Sequence, residues 1–192
     1  VVAPASYNIL NKAALGIADC VVSSAIAAAL GRMERMGVPI LFAPAMHGSM
    51  HNEILTRSMK TLQEMGVSLI PPTQAHGKNN LASLDLIVAA TIRSLSKSSL
   101  YGKSVLITGG PTPVPLDNIR SITSYFTGTL SIKLAREAWL RGASVELILG
   151  KGSRSAPDFI NTKIAATFED YANILKNSLS QQSFDWGIFT AA

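Results

Sequence analysis

Twice along this chain of 192 residues, an apolar run that reads as a buried strand breaks into small residues and then into a helical pattern. Near the start, Val1-Val2 leads into Ala3-Pro4-Ala5-Ser6-Tyr7-Asn8. Past the middle, Val105-Leu106-Ile107 leads into Thr108-Gly109-Gly110-Pro111-Thr112. Strand, small-residue turn and helix start together place free backbone N–H groups at the edge of a parallel sheet, where they can hold a phosphate or another anion. Two such places predict an α/β protein with two ligand-binding units.

The segments between them supply the alternation this needs. Residues 8–36 read as a short helix, a break around Gly16 and Asp19, and a longer helix ending at Gly37. Between residues 24 and 30 the longer helix is apolar on most faces, which predicts burial on several sides. Residues 39–43 form a strand. Residues 52–65 form a helix with Asn52 as N-cap and Gly66 as stop, and residues 67–70 another strand. Residues 73–80 read as a polar loop, and Ser83 caps a helix to about Leu95. Residues 94–102 are small and polar, the best linker in the chain.

After the linker the pattern restarts: strand 103–108, helix 127–141 stopped by Gly142, strand 145–149 and a basic loop at 150–157. Thr167 with Asp170 opens a further helix, and residues 186–190 close on a strand. Such alternation implies right-handed crossovers and parallel sheets. The predicted organisation is residues 1–96, a linker at 97–102, and residues 103–192. Both ends fall inside strands, so the chain reads as a window cut from a longer protein.

Charge and cysteine content narrow the partners. The net charge of +5 favours anionic ligands, but Lys and Arg are scattered, which argues against nucleic acid. Cys20, the single cysteine, excludes an intramolecular disulfide and a thiolate metal cluster; its apolar neighbours predict a small buried hydrophobe. No apolar run is long enough to span a bilayer and no secretory pattern is present, so no membrane association and a cytoplasmic location are expected.

Ser6 and Asn8 sit where strand gives way to helix. They can bind a phosphate or a flat polar ring, or simply cap the helix. Residues 43–52 leave a strand with two Met and two His. His47 and His51 are four apart, but Gly48 between them and the lack of a carboxylate partner argue against a metal pair. A loop lining a pocket is the better reading, and no metal site is expected.

Ala3-Pro4-Ala5-Ser6-x-Asn8, Lys12, Gly16-Ile17-Ala18-Asp19 and Ala43-Pro44-Ala45-Met46 with Met50 resemble the flavin-dependent cysteine decarboxylase family, which includes phosphopantothenoylcysteine decarboxylase. Leu106-Ile107-Thr108-Gly109-Gly110-Pro111-Thr112-x-x-Pro115-Leu116-Asp117-x-x-Arg120 resembles the start of phosphopantothenate–cysteine ligase. The same order occurs in the bifunctional coenzyme A biosynthesis flavoproteins. The resemblance implies a partial flavodoxin-like unit followed by a partial Rossmann-like unit. It also implies FMN as cofactor, CTP with Mg2+ as co-substrate, and 4′-phosphopantothenate, cysteine and phosphopantothenoylcysteine as partners of a homo-oligomer.

Carried over residue by residue, it assigns FMN contacts to Ser6, Tyr7, Asn8, Ile9 and Ala45, with Asn8 also near the reacting carboxylate. Met46 and His47 would bind substrate. Gly109, Gly110 and Thr112 would form the nucleotide-side loop, with Thr190, Ala191 and Ala192 approaching the CTP base or ribose. Asp117, Arg120 and Ser124 would form the ligase centre. The sequence departs from both patterns. The family's Pro-Ala-Met-Asn-x-x-Met-Trp has His47 and His51 in place of Asn and Trp, and residues 73–82 lack the clamp cysteine. In the ligase pattern Ser124 replaces an Asn and Thr129 a Lys.

Two other classes compete. Residues 105–149 also resemble the first βαβ of a short-chain dehydrogenase, although Pro111, Pro113 and Pro115 occupy the stretch where its helix should start. A non-catalytic flavin-binding regulatory subunit would account for the missing clamp Cys and Asn.

Overall fold

The computed structural model describes residues 1–75 and 78–191. The chain divides into two compact units, Val1–Leu95 and Ser96–Ala192.

The first unit runs β1 (Val2–Ala5), α1 (Tyr7–Leu15), α2 (Val21–Met36), β2 (Leu41–Pro44), a 3-10 turn (Gly48–Met50), α3 (Glu53–Glu64), β3 (Ser68–Leu69), β4 (Thr73–Ala75), β5 (Lys78–Asn80) and α4 (Leu84–Leu95). Strands β1, β2 and β3 form a parallel sheet in that order, as the last three strands of a flavodoxin-like sheet do. All four residues of β2 are buried because the sheet is covered on both faces. Phe42 packs with Leu10, Ile26, Leu55 and Leu62 on one side, while Leu41 and Ala43 pack with Ile70, Ala82 and Ile87 on the other.

Three expectations fail here. Helix α2 buries only Ser23 and Ile26, and Val21 is 86% exposed. Four of the six residues from 25 to 30 are alanines, which favour helix without demanding a core. Cys20 is exposed, not buried: it is the N-cap of α2, with its N–H donating to Ser23 Oγ at 2.9 Å and its Sγ 3.2 Å from the same oxygen. Residues 73–80 are not simply a loop, because β4 and β5 pair antiparallel from Thr73↔Asn80 to Ala75↔Lys78. Their polar residues carry no period-two pattern to announce a hairpin. His76 and Gly77 lie outside the described residues.

The second unit runs β6 (Ser104–Gly109), β7 (Val114–Pro115), β8 (Ser121–Ile122), α5 (Thr129–Leu140), β9 (Ser144–Gly150), β10 (Asn161–Ala165), α6 (Phe168–Gln181) and β11 (Trp186–Phe189). Its parallel sheet has the order β10-β9-β6-β11, that of the first four strands of a Rossmann-like sheet. Alternate residues of β6 and β9 face opposite layers. Val105, Ile107, Val145 and Leu147 pack with Ala135 and Ala138 of α5, and Leu106 and Ile148 pack with Tyr171 of α6. Sheet growth reverses direction between β6 and β11, which makes the gap between their ends the topological switch point. The β7–β8 hairpin and β10 were not anticipated.

Candidate functional site

In the first unit, the N–H of Ala45 donates to the carbonyl of Ala5 at 3.1 Å, so β1 and β2 end side by side. Ser6, Tyr7 and Asn8 therefore share a sheet edge with Ala45 and Met46. Ser6 is extended and its Oγ accepts the Ile9 N–H at 3.4 Å, so it does cap α1. No acidic residue stands in the first turn of α1, and the N–H groups of Tyr7 and Asn8 precede the first intrahelical bond. Asn8 is exposed, Ile9 half-buried against the core, and Met46 packs on the same cluster.

His47 caps the 3-10 turn. Its Nδ1 accepts the Ser49 N–H at 3.3 Å and lies 2.9 Å from Ser49 Oγ. That bond makes Nδ1 the acceptor, so the neutral ring carries its proton on Nε2. Asn52 caps α3 through Leu55 N–H at 3.1 Å and its Nδ2 reaches the Tyr7 hydroxyl at 3.4 Å. Lys12 and Asp19 pair at 2.8 Å at the α1–α2 junction, each holding the other in its charged form: Lys12 is raised and Asp19 lowered.

In the second unit, Thr190 donates both its N–H (3.0 Å) and its Oγ1–H (2.7 Å) to the carbonyl of Thr108, across the switch point. A cavity opens on each face of the sheet there. One, about 230 Å³, is lined by Gly110, Thr127, Gly128, Thr129, Ser131 and Thr190 among others. Gly128 is the N-cap of α5 at φ +68 with no side-chain cap, and no acidic residue follows in the first turn. The helix start therefore offers its amides and its positive dipole end to an anion. The other cavity, about 400 Å³ and mostly apolar, is lined by Thr108, Thr112, Phe168, Tyr171, Phe189 and Ala191 among others.

Two glycines of the loop are required by close approach. A Cβ on Gly109 would run into Ser131, with Thr190 Oγ1 at 3.3 Å, and Gly110 has φ +77 with Ser153 Oγ pressed against it. Asp117, Arg120 and Ser124 line neither cavity. Asp117 Oδ1 accepts the N–H groups of Ile119 (2.8 Å) and Arg120 (2.7 Å), and its Oδ2 pairs with the Arg120 guanidinium at 2.6 Å. The Ile119 N–H first, then the guanidinium, hold its carboxyl below the usual carboxylate range. This pair shapes the tip of the β7–β8 hairpin, and Ser124 lies between that hairpin and α5. Ala192 lies outside the described residues.

Sequence reasoning missed Tyr171, Phe168 and Phe189. A Tyr in the first turn of a helix has a polar tip that needs a partner when buried, and that was the available signal. Among the described residues no group of three or more His, Cys, Asp or Glu could hold a metal, and no helix is long and apolar enough to cross a membrane.

Residues 1–96 match the flavoprotein family model. The chain belongs to the flavoprotein family. Residues 100–192 match the DNA/pantothenate metabolism flavoprotein C-terminal domain, which sets aside the dehydrogenase comparison for the second unit. A coenzyme A biosynthesis bifunctional protein CoaBC from Thermococcus kodakarensis is 36% identical over 193 residues, covering 100% of this chain and 46% of that protein. The Bacillus subtilis protein of the same name is 32% identical over 184 residues, covering 88% of this chain and 44% of that protein. A cysteine/cysteine sulfinic acid decarboxylase from an unknown prokaryotic organism is 34% identical over 161 residues, covering 78% of this chain and 43% of that protein. The chain thus spans less than half the length of these relatives.

Proposed function

We propose that the protein acts in coenzyme A biosynthesis, joining 4′-phosphopantothenate to cysteine with CTP in the second unit and decarboxylating the resulting phosphopantothenoylcysteine to 4′-phosphopantetheine with FMN in the first. The observation that carries this reading is the order of the two family matches on one chain, flavoprotein at 1–96 and its pantothenate-metabolism partner domain at 100–192.

The residues present fit FMN. Ser6 and the first-turn amides of α1 would hold the phosphate, with Ile9 and Ala45 against the flavin. Bound there, FMN supplies the oxidation of the substrate thiol that makes loss of carbon dioxide easy. Asn8 would orient the departing carboxylate. Met46 would contact the substrate, and His47 would donate from Nε2 to the amide-rich arm of the substrate, the donor role of the amide it replaces.

In the second unit, Gly109, Gly110 and Thr112 with the α5 amides would cradle the CTP phosphates, which would bring Mg2+ with them. Thr190, Ala191 and Ala192 would approach the base or ribose. Asp117, Arg120 and Ser124 on the hairpin and the segment after it would meet the activated carboxylate and cysteine. Exposed Leu116, Ile119, Ile122 and Tyr125 around that hairpin support a homo-oligomer. A cytoplasmic setting suits this small-molecule chemistry.

One observation favours a second reading, a flavin-binding subunit without ligase turnover: among the described residues, no Lys or Arg lines the cavity at the start of α5. Assaying the purified protein with 4′-phosphopantothenate, cysteine and CTP decides between them. Pyrophosphate release with formation of phosphopantothenoylcysteine supports the ligase. Flavin binding without either product supports the subunit, and absence of both overturns the proposal.

A further inference from the structure

We propose that Tyr171 is a positioning residue for the nucleotide, its hydroxyl setting the geometry of the Gly109–Gly110 turn on which CTP rests. This rests on the nucleotide reading of the second unit.

Tyr171 is 6% exposed and stands in the first turn of α6, its N–H donating to Thr167 at 3.0 Å. Its hydroxyl accepts the Gly109 N–H at 2.8 Å and lies 2.8 Å from the carbonyl of Ile148 and 3.1 Å from that of Gly109. The hydroxyl has one hydrogen to give, and the shorter contact directs it to Ile148. It therefore bridges the C-terminal ends of β6 and β9 at the residue where β6 leaves the sheet.

The opposite face of Gly109 is closed as well. Ser131, fully buried, sits where a Cβ would project from Gly109, and its hydroxyl donates to the carbonyl of Gly128 at 2.7 Å. Gly109 is thus gripped from the α6 side by Tyr171 and from the α5 side by Ser131. The direction in which Gly110 departs, at φ +77, follows from that grip.

The ring of Tyr171 also forms a wall of the 400 Å³ cavity beside Thr112 and Ala191. One side chain therefore touches both the turn that would hold phosphate and the space that would hold the rest of the nucleotide. Burial raises the phenol's pKa, and the hydroxyl accepts the Gly109 N–H through a lone pair while giving its one hydrogen to Ile148. Phenylalanine would fill the same volume yet leave the Gly109 N–H without its acceptor.

The test is Tyr171→Phe in the full chain, titrated with CTP by calorimetry at a temperature well below its measured unfolding, with near-ultraviolet circular dichroism of the aromatic residues of the second unit as a folding control. The Kd for CTP should rise roughly 3- to 10-fold, the worth of one misplaced hydrogen bond, with the fold of the second unit retained. A lowered melting temperature with a wild-type Kd makes Tyr171 merely structural and overturns the proposal. No CTP binding by the wild-type protein overturns the nucleotide reading and this proposal together. Should the variant not fold, wild-type NMR decides: CTP must shift the Gly109 amide and the Tyr171 ring resonances, and saturation without either shift refutes the assignment.

Discussion

The backbone N–H of Ala45 donates to the carbonyl of Ala5 at 3.1 Å, tying the end of β2 to the end of β1. This bond sets Ser6 beside Ala45 and makes one edge out of two turns far apart in sequence. FMN added to the protein should show quenched fluorescence. Ser6→Ala should weaken FMN binding roughly tenfold through loss of a charge-assisted hydrogen bond to phosphate. The same change removes the α1 cap and should lower stability by about 0.5–2 kcal/mol in denaturant titration. Unchanged flavin affinity would place the phosphate elsewhere.

Gly110 occupies the left-handed region with Ser153 Oγ against it. Gly110→Val should cost about 1–2 kcal/mol in backbone strain alone and abolish CTP-dependent ligation. Flavin absorbance should persist, because β1–β3 belong to a different sheet from β6. Ligation at the wild-type rate would remove the turn from the nucleotide site.

On the proposed ligase reading, Ser124 takes the place of an asparagine, a residue with both a donor and an acceptor at its tip. Ser124→Asn should accelerate cysteine attack on the activated carboxylate more than CTP-dependent activation. Rapid-quench measurement of product formation and pyrophosphate release separates the two steps. If neither rate changes, Ser124 is not at the ligase centre.

Asp185 clamps the start of β11 to β6. It accepts the Ser104 N–H at 2.8 Å, the Ser104 hydroxyl at 3.0 Å and the Lys103 ammonium at 3.1 Å. The Ser104 N–H first, with Lys103 behind it, holds its carboxyl at about 2, below the ordinary 3.8. A folded value below the unfolded one gives stability that is complete above 3.8 and lost as pH falls toward 2. Melting temperature should therefore fall less steeply across that interval in Asp185→Asn than in the wild-type protein. Identical slopes would show that other carboxylates govern the acid limb.

Much of the architecture was legible because it is written in short-range terms. The caps at Ser6, Asn52, Ser83 and Thr167 each reach only three residues along the chain, to Ile9, Leu55, Leu86 and Asp170. The apolar runs of β2, β6 and β9 are continuous because both faces of a parallel sheet are covered, so strand and class could be read together. The resemblance to two enzyme families rested on the same turns, since small residues at a strand end are needed locally for the backbone to approach a ligand.

What tertiary structure decided was whatever depends on a distant partner. Strands of two or three residues such as β4, β5, β7 and β8 exist only through their cross-strand register, and no local period marks them. The surroundings of Cys20 and α2 look apolar in sequence, yet exposure follows from which face meets the core, and alanine fits either side. The bond from Gly109 to Tyr171 spans 62 residues. The tyrosine's polar tip signals that a partner is needed, but not which one, because a hydroxyl finds its backbone partner only after β6, β9 and α6 have packed together.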